Sequence, residues 1–443
     1  MALAGRLRPL LGDLLVIDGA KIFAVNVAGA GLAFISHVLF ARWMTLESYG
    51  VYVFALGWLN ILFIAVQAGM NLSMVRFVAE YRAAGNRRAI LALLGFSNRV
   101  VLCLGLSAAV IGAALVTSLT ESGSPELRRT VYAALALTVV MAMIQQRTAL
   151  LQGLERVVPS TLMFEIARPL TLLAVVFILT RYLALDAAAV MAANLGVSAG
   201  VLILLMFYAR KCIAADPVAV DNAVPPWRDW LKVSLPYVAV TGLTILLTQM
   251  DILMIGHLLG PEQAGLYAPA AKVALLAIFP AVAIRARYGP MAARLYAEGK
   301  TDELQSRTGM ATGLSALACG GVLAVIVPGR EIALGLFGAA YMGGTEVILI
   351  LAAGYLVYSL MGAVEMFFLV GPFERSNAVV ATMTLGLNLG LNFVLIPKYG
   401  IEGAAMATAA AIVFRAIVST AIIRSHVGLL PWAPRRASEI DPS

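Results

Sequence analysis

"LTQMDILMIGHLLGPEQAGLYAPAAK", Leu247 to Lys272, is an apolar run that carries an aspartate, breaks at Gly260-Pro261 and resumes towards a lysine set among Ala and Val. An ionisable group in hydrocarbon costs about 2.5–3.5 kcal/mol on insertion scales, so Asp251 and Lys272 each call for a partner, a wet cavity or a function. A similar frame stands earlier as "LFARWMTLESYGVYVFA", Leu39 to Ala55. Laid over Met254 onward without a gap, it puts Glu47 on Glu262, Gly50 on Gly265, Tyr52 on Tyr267 and Ala55 on Ala270. A stranded charge and a repeat are the two features to explain.

The chain of 443 residues is 61% hydrophobic and 13% charged, where soluble domains carry about 25% charge. About 20 apolar residues cross a hydrocarbon layer about 30 Å thick. Runs of that kind fall at roughly 20–41, 51–74, 91–119, 130–153, 159–180, 187–209, 233–258, 266–288, 305–328, 346–370, 374–397 and 400–424. The expectation is an all-α integral membrane protein of about twelve transmembrane helices. The longest polar connection is the segment from Arg210 to Lys232, too short to fold as an enzyme domain. The N-terminal stretch is basic but interrupted by Asp13, which favours an amphipathic surface segment over a cleaved signal peptide.

The net charge of +8 is a matter of topology rather than of nucleic-acid binding. With the N-terminus in the cytoplasm, 20 of the loop Lys and Arg residues fall inside, Arg76, Arg88 and Lys211 among them, and 6 fall outside: Arg42, Arg128, Arg129, Arg181, Arg330 and Lys398. That imbalance places both termini in the cytoplasm. Cys103, Cys212 and Cys319 have no regular spacing, so neither a disulfide framework nor a metal site is indicated.

Two further matches extend the repeat: "LQGLER" from Leu151 resembles "LVGPFER" from Leu369, and "AAAVMAAN" from Ala187 resembles "GAAMATAA" from Gly403. The expected organisation is a six-helix bundle over 1–212, a cytoplasmic linker over 213–232 and a second six-helix bundle over 233–443. An even number of spans per half makes the repeat a parallel one, with the substrate path between the halves near the midplane.

Among the charges inside spans, Asp18 with Lys21 and Glu165 with Arg168 stand at i and i+3 and can neutralise each other. Arg99 and Arg147 lie near inner span ends, where they can snorkel, as can Arg285 and Arg287. Asp251, Lys272, Glu365 and Arg415 have no such local explanation. Asp251 and Lys272 can clamp each other or line the path. Asn26, Asn60, Gln67, Asn71, Asn388 and Asn392 can join helices by hydrogen bonds, and Pro236, Pro269, Pro280 and Gly371-Pro372 suit helices that bend. There is no phosphate loop, no H-E-x-x-H and no G-x-S-x-G. No enzyme and no cofactor is implied.

"LLGPEQAGLYAPAAK", "ALLQGLERV" and "IPKYGIEGAAMATA" resemble the recurring signatures of polysaccharide flippases, within the superfamily that also holds the multidrug and toxin extrusion antiporters and the lipid II flippases. The resemblance runs from about Gly19 to Leu429. It implies movement of an undecaprenyl-diphosphate-linked oligosaccharide from the inner to the outer leaflet of a bacterial cytoplasmic membrane, for cell-surface polysaccharide synthesis. It implies as partners the lipid-linked oligosaccharide, membrane lipids and a polysaccharide polymerase. Lys272 falls on the basic position of the family's "Y-x-x-A-x-[KR]" pattern, and Asp251 on the Asp that often precedes the turn. The first half departs from that pattern, with Thr45-Leu46 for Gly-Pro and Gly57 opposite Lys272. The candidate headgroup-binding residues are Lys272, Arg147, Arg168, Lys21 and Arg415, and the candidate ion-handling residues Asp251 and Glu365. The alternative is an ion-coupled drug or cation antiporter of the same superfamily. Six cations inside spans against four acids favour an anionic substrate.

Overall fold

A computed structural model describes residues 2–119, 124–215, 224, 226–361, 364–370 and 373–430. All the elements among them are helical. They are α1 (Ala2–Trp43), α2 (Leu46–Gln67), α3 (Met70–Ala83), α4 (Arg87–Leu119), α5 (Pro125–Gly153), α6 (Val157–Leu162), α7 (Arg168–Leu179), α8 (Ala187–Ala215), α9 (Trp227–Leu258), α10 (Pro261–Leu275), α11 (Phe279–Ala297), α12 (Thr301–Ile326), α13 (Arg330–Gly335), α14 (Thr345–Met361), α15 (Phe367–Val370) and α16 (Glu374–Val427). Among the described residues, 11 helical stretches are long and apolar enough to cross a membrane. The last of these, Arg375–Val427, is two spans. Gly400 adopts φ 63 and ψ −138, outside helical space, and a Cβ on Gly403 would meet the Leu395 carbonyl oxygen at 2.2 Å. In one straight helix those residues would stand about 12 Å apart, so the chain folds back at Gly400, and the expected twelve spans are present.

The chain divides into two compact units, Met1–Ile245 and Leu246–Ser443. The first holds α1 to α8 and the early turns of α9. One of its cores joins α3, α4, α5 and α8 through Met70, Met74, Leu93, Ile144, Leu150 and Leu205. Span two ends at Gln67, earlier than its apolar run suggested, because Ala68 and Gly69 both turn left-handed, and α3 then starts at Met70. Gly69 has no room for a side chain: a Cβ there would meet the Ser234 carbonyl oxygen at 2.1 Å. The early turns of α9 are pinned at this place. The Ser73 and Ser234 hydroxyls lie 2.7 Å apart, and Trp230 Nε1 donates to the Tyr81 hydroxyl at 2.8 Å. Residues 227–232, expected in the linker, are thus the first turns of a packed helix; residues 216–223 and 225, and the Gly371-Pro372 bend, lie outside the described residues, as do the side chains of residues 2–20.

The second unit holds the rest of α9 and α10 to α16. One core joins α11, α12, α15 and α16 through Tyr288, Leu295, Leu304, Phe367 and Ile423. The repeat is visible in burial: Tyr52 and Tyr267 are 3% and 2% exposed, and Ala55 and Ala270 both 0%. The two copies start their helices by different chemistry. Thr45 caps α2 by accepting from Ser48 N at 3.1 Å, whereas α10 begins with Pro261, preset for a first turn. Outward positions such as Leu106, Val110, Leu317, Val325 and Phe393 are exposed, the surface that lipid tails require.

Candidate functional site

Asp251 of α9 lies 5% exposed at the centre of a cage in the second unit. Asn392 Nδ2 donates to its Oδ1 at 2.9 Å and Asn388 Nδ2 at 3.4 Å. The Tyr267 hydroxyl donates to Oδ2 at 2.7 Å, and the Thr408 hydroxyl also bonds to Oδ2. Asn388 and Asn392 stand one helical turn apart, so both reach the same carboxylate, and Asn392 Nδ2 also donates to Asn388 Oδ1 at 3.1 Å. Asn388 Nδ2 further donates to Thr408 Oγ1 at 3.0 Å, which the fold-back at Gly400 makes possible. A carboxylate offers about four acceptor sites, and here four uncharged donors use them. No cation pairs with Asp251 among the described residues, and Asn392 Oδ1 is buried without a donor.

Lys272, one of the two residues that framed the sequence puzzle, is not in this cage. It is half-buried on α10 and makes no ion pair with Asp251, whose four partners are all uncharged. The clamp is absent.

Glu365 and Arg415 do come together. The expected span over 346–370 ends as α14 at Met361, and Glu365 stands in a 3-10 turn, Val364–Met366. That turn brings its carboxylate to the Tyr358 hydroxyl, which donates to Oε2 at 2.6 Å. Arg415 Nε donates to Glu365 Oε1, and Arg415 Nη2 to Asn377 Oδ1 at 3.3 Å. Arg285, expected to snorkel, instead donates to the Tyr358 hydroxyl at 2.5 Å, stacks over that ring at 4.8 Å and lies 3.9 Å from Glu365. Two guanidinium groups share one carboxylate, so the cluster keeps one positive charge. Sequence reasoning missed Arg285, Tyr358 and Asn377, because no local spacing links residues 285, 358, 365, 377 and 415.

In the first unit, Glu165 and Arg168 do not form the expected ion pair. Met163–Ala167 is a π-turn, which puts one more residue in the turn, so positions three apart no longer share a face. Glu165 lies instead against Gly29, where a Cβ would approach its Cβ to 2.9 Å. Arg168 Nη1 donates to Asn194 Oδ1 at 3.2 Å, its guanidinium lies 5.1 Å from the Phe164 ring centre, and its Nε is buried without a partner. The position of Asp251 in the repeat frame is occupied here by Ser36, whose hydroxyl donates to the Leu32 carbonyl at 2.7 Å. Lys21 is exposed, whereas Arg147, also read as able to snorkel, is 4% exposed.

A buried acidic cage and separated cations on helices that cross a membrane suit a carrier, and the chain matches the polysaccharide biosynthesis protein family over residues 16–284. It belongs to that family. At 24% identity over 413 residues, 92% of this chain and 83% of the other, it is similar to the "Probable low-salt glycan biosynthesis flippase Agl15" of Haloferax volcanii. The fold is shared with the lipid II flippase MurJ in an inward closed conformation, at TM-score 0.72 and 14% identity over 91% of this chain and 87% of that one. It is also shared with an inward-facing multidrug resistance MATE family transporter of the MOP superfamily, at TM-score 0.71 and 16% identity over 89% and 98%. This member of the family is a multi-pass membrane protein with a transporter fold and not an enzyme.

Proposed function

We propose that this protein flips an undecaprenyl-diphosphate-linked oligosaccharide from the cytoplasmic to the outer leaflet of a bacterial inner membrane by alternating access. The observation that carries this reading is the family match over residues 16–284 on a fold shared with a lipid II flippase. The relative from Haloferax volcanii, named a glycan biosynthesis flippase, supports the substrate class. Both termini are assigned to the cytoplasm from the distribution of Lys and Arg, and a polysaccharide polymerase is a natural partner downstream.

Within this reading Lys272 contacts the diphosphate, since it is half-buried and makes no ion pair among the described residues. Within the first unit, the headgroup-binding residues of this reading are Arg168, whose buried Nε lacks an acceptor among the described residues, and Lys21 of α1. Arg415 meets the anion as part of the cluster around Glu365. Asp251 handles the coupling ion: its cage neutralises nothing, so a proton or a monovalent cation entering there gains a full charge partner, with the Asn392 oxygen beside it. Glu365, the other ion-handling candidate, holds two arginines together.

The test is depletion of the protein in cells that make a surface polysaccharide. Lipid-linked sugars should accumulate, protected from periplasmic probes and open to cytoplasmic ones. Normal export under depletion, with lowered efflux of an organic cation instead, would replace this reading with the antiporter.

A further inference from the structure

A cluster of arginines lies around a cavity within the first unit. The cavity, of about 300 Å³, is lined by Arg87 and Asn98 of α4, Arg147 of α5 and Arg210 and Met206 of α8. Arg147 is 4% exposed, and its Nη1 has no hydrogen-bond partner. Arg87 Nε is likewise buried without a partner. Among the described residues none of these three arginines pairs with a carboxylate, although Arg82, five residues before Arg87, pairs with Glu155 at 2.7 Å. Arg210, of like charge, lines the same cavity as Arg147.

A buried guanidinium with no counter-ion is expensive, and two more of the same sign make it more so. The simplest compensation is a mobile anion. Guanidinium forks match phosphate oxygens two at a time. The cavity also has an apolar side. Leu91 lines it and is 48% exposed, and Leu102 and Leu106, 11 and 15 residues further along α4, lie on nearly the same face and are 40% and 60% exposed. A chain attached to the anion can run along that face.

We propose that this cavity binds the phosphate group of a membrane lipid, with Arg87, Arg147 and Arg210 around the anion and the outer face of α4 against its hydrocarbon. The cavity stands where α4 begins and α5 and α8 end, the side that the charge distribution assigns to the cytoplasmic leaflet. Two lipids share the required chemistry: a resident anionic phospholipid and the diphosphate lipid that the proposed transport carries. The site itself holds whichever of them is used, and whether or not transport is confirmed.

The test uses the full-length protein in detergent, with lipid binding followed by native mass spectrometry. The probes are phosphatidylglycerol, undecaprenyl diphosphate and, as a phosphate-free control, diacylglycerol. Arg147→Gln should weaken binding of at least one phosphate lipid about tenfold and leave diacylglycerol unchanged. An effect on phosphatidylglycerol supports the site as a resident-lipid site, and an effect on undecaprenyl diphosphate supports it as a station for the carried lipid. Arg210→Gln, at the exposed rim, serves the same purpose should Arg147→Gln fail to fold, and should give a drop of the same kind. Equal retention of both phosphate lipids by the wild-type protein and the folded variants overturns the proposal, as does wild-type binding of diacylglycerol as tight as that of either phosphate lipid.

Discussion

Replacing Asp251 by asparagine separates a carboxylate that works from one that only holds helices together. The side chain accepts four hydrogen bonds, two on each oxygen. An asparagine that keeps its oxygen towards Asn388 and Asn392 retains those two donors and turns its NH2 to the Tyr267 and Thr408 hydroxyls. Hydrogen bonds to a charged group contribute about 1.5–3 kcal/mol each, so losing two removes about 3–6 kcal/mol. Removing a buried charge returns several kcal/mol of desolvation. The two effects nearly cancel, and Asp251→Asn should change stability by less than about 2 kcal/mol. Asp251→Leu instead leaves four buried donors without an acceptor, at about 1–3 kcal/mol each, and should lower the folded yield sharply. Stability would be read by heating the purified protein and measuring the monodisperse fraction. Transport would be measured in proteoliposomes with a proton or sodium gradient imposed and then collapsed. The asparagine variant should fold, bind lipid-linked oligosaccharide and lose its dependence on the gradient. If it is as unstable as the leucine variant, or responds to the gradient like the wild type, the coupling role is refuted.

Lys272→Ala should lower transport at least tenfold without changing the amount of folded protein, and Lys272→Arg should keep part of the activity. Because Asp251 and Lys272 do not pair, stability effects of Asp251→Asn and Lys272→Ala should add to within about 0.5 kcal/mol in a double-mutant cycle; a larger coupling would reinstate the clamp. Gly69→Ala combines left-handed strain of about 1–2 kcal/mol with a collision against the Ser234 carbonyl. It should cut expression of folded protein, and a normal melting profile would contradict the close approach. Glu365→Gln strips Arg285 and Arg415 of their shared carboxylate and should destabilise by about 3–5 kcal/mol, partly restored by a second change, Arg415→Gln, in the same thermal assay. A cysteine placed in segment 213–232 should be labelled by membrane-permeant but not by impermeant maleimide in intact cells.

The spans were legible because hydrocarbon thickness imposes a length and lipid imposes a composition, and both are written locally. The repeat was legible through Glu47 and Glu262 or Tyr52 and Tyr267, which occupy matched places in their units. Asp251 and Lys272 were legible as anomalies. Their surroundings were not: Asn388, Asn392 and Thr408 lie 137, 141 and 157 residues from Asp251, and an asparagine that joins two helices looks in sequence like one that cages a carboxylate. Glu165 and Arg168 misled for a local reason, since helical spacing assumes an α-helix and this stretch contains a π-turn. Arg147 and Arg285 misled because a long cation near a span end can reach either inward or outward, and packing partners decide.

That π-turn also makes the fifth span two rods with independent phase. In an uninterrupted α-helix each residue adds about 100° of rotation, so deleting one residue turns everything beyond it by that amount. Between Met163 and Ala167 the backbone holds a residue more than an α-helical turn requires. Excising one there would leave a regular α-helix, with Glu165 or its replacement back on the face of Arg168. The fifth span can therefore lose one residue inside the membrane, and the loss would re-aim the arginine without breaking the helix.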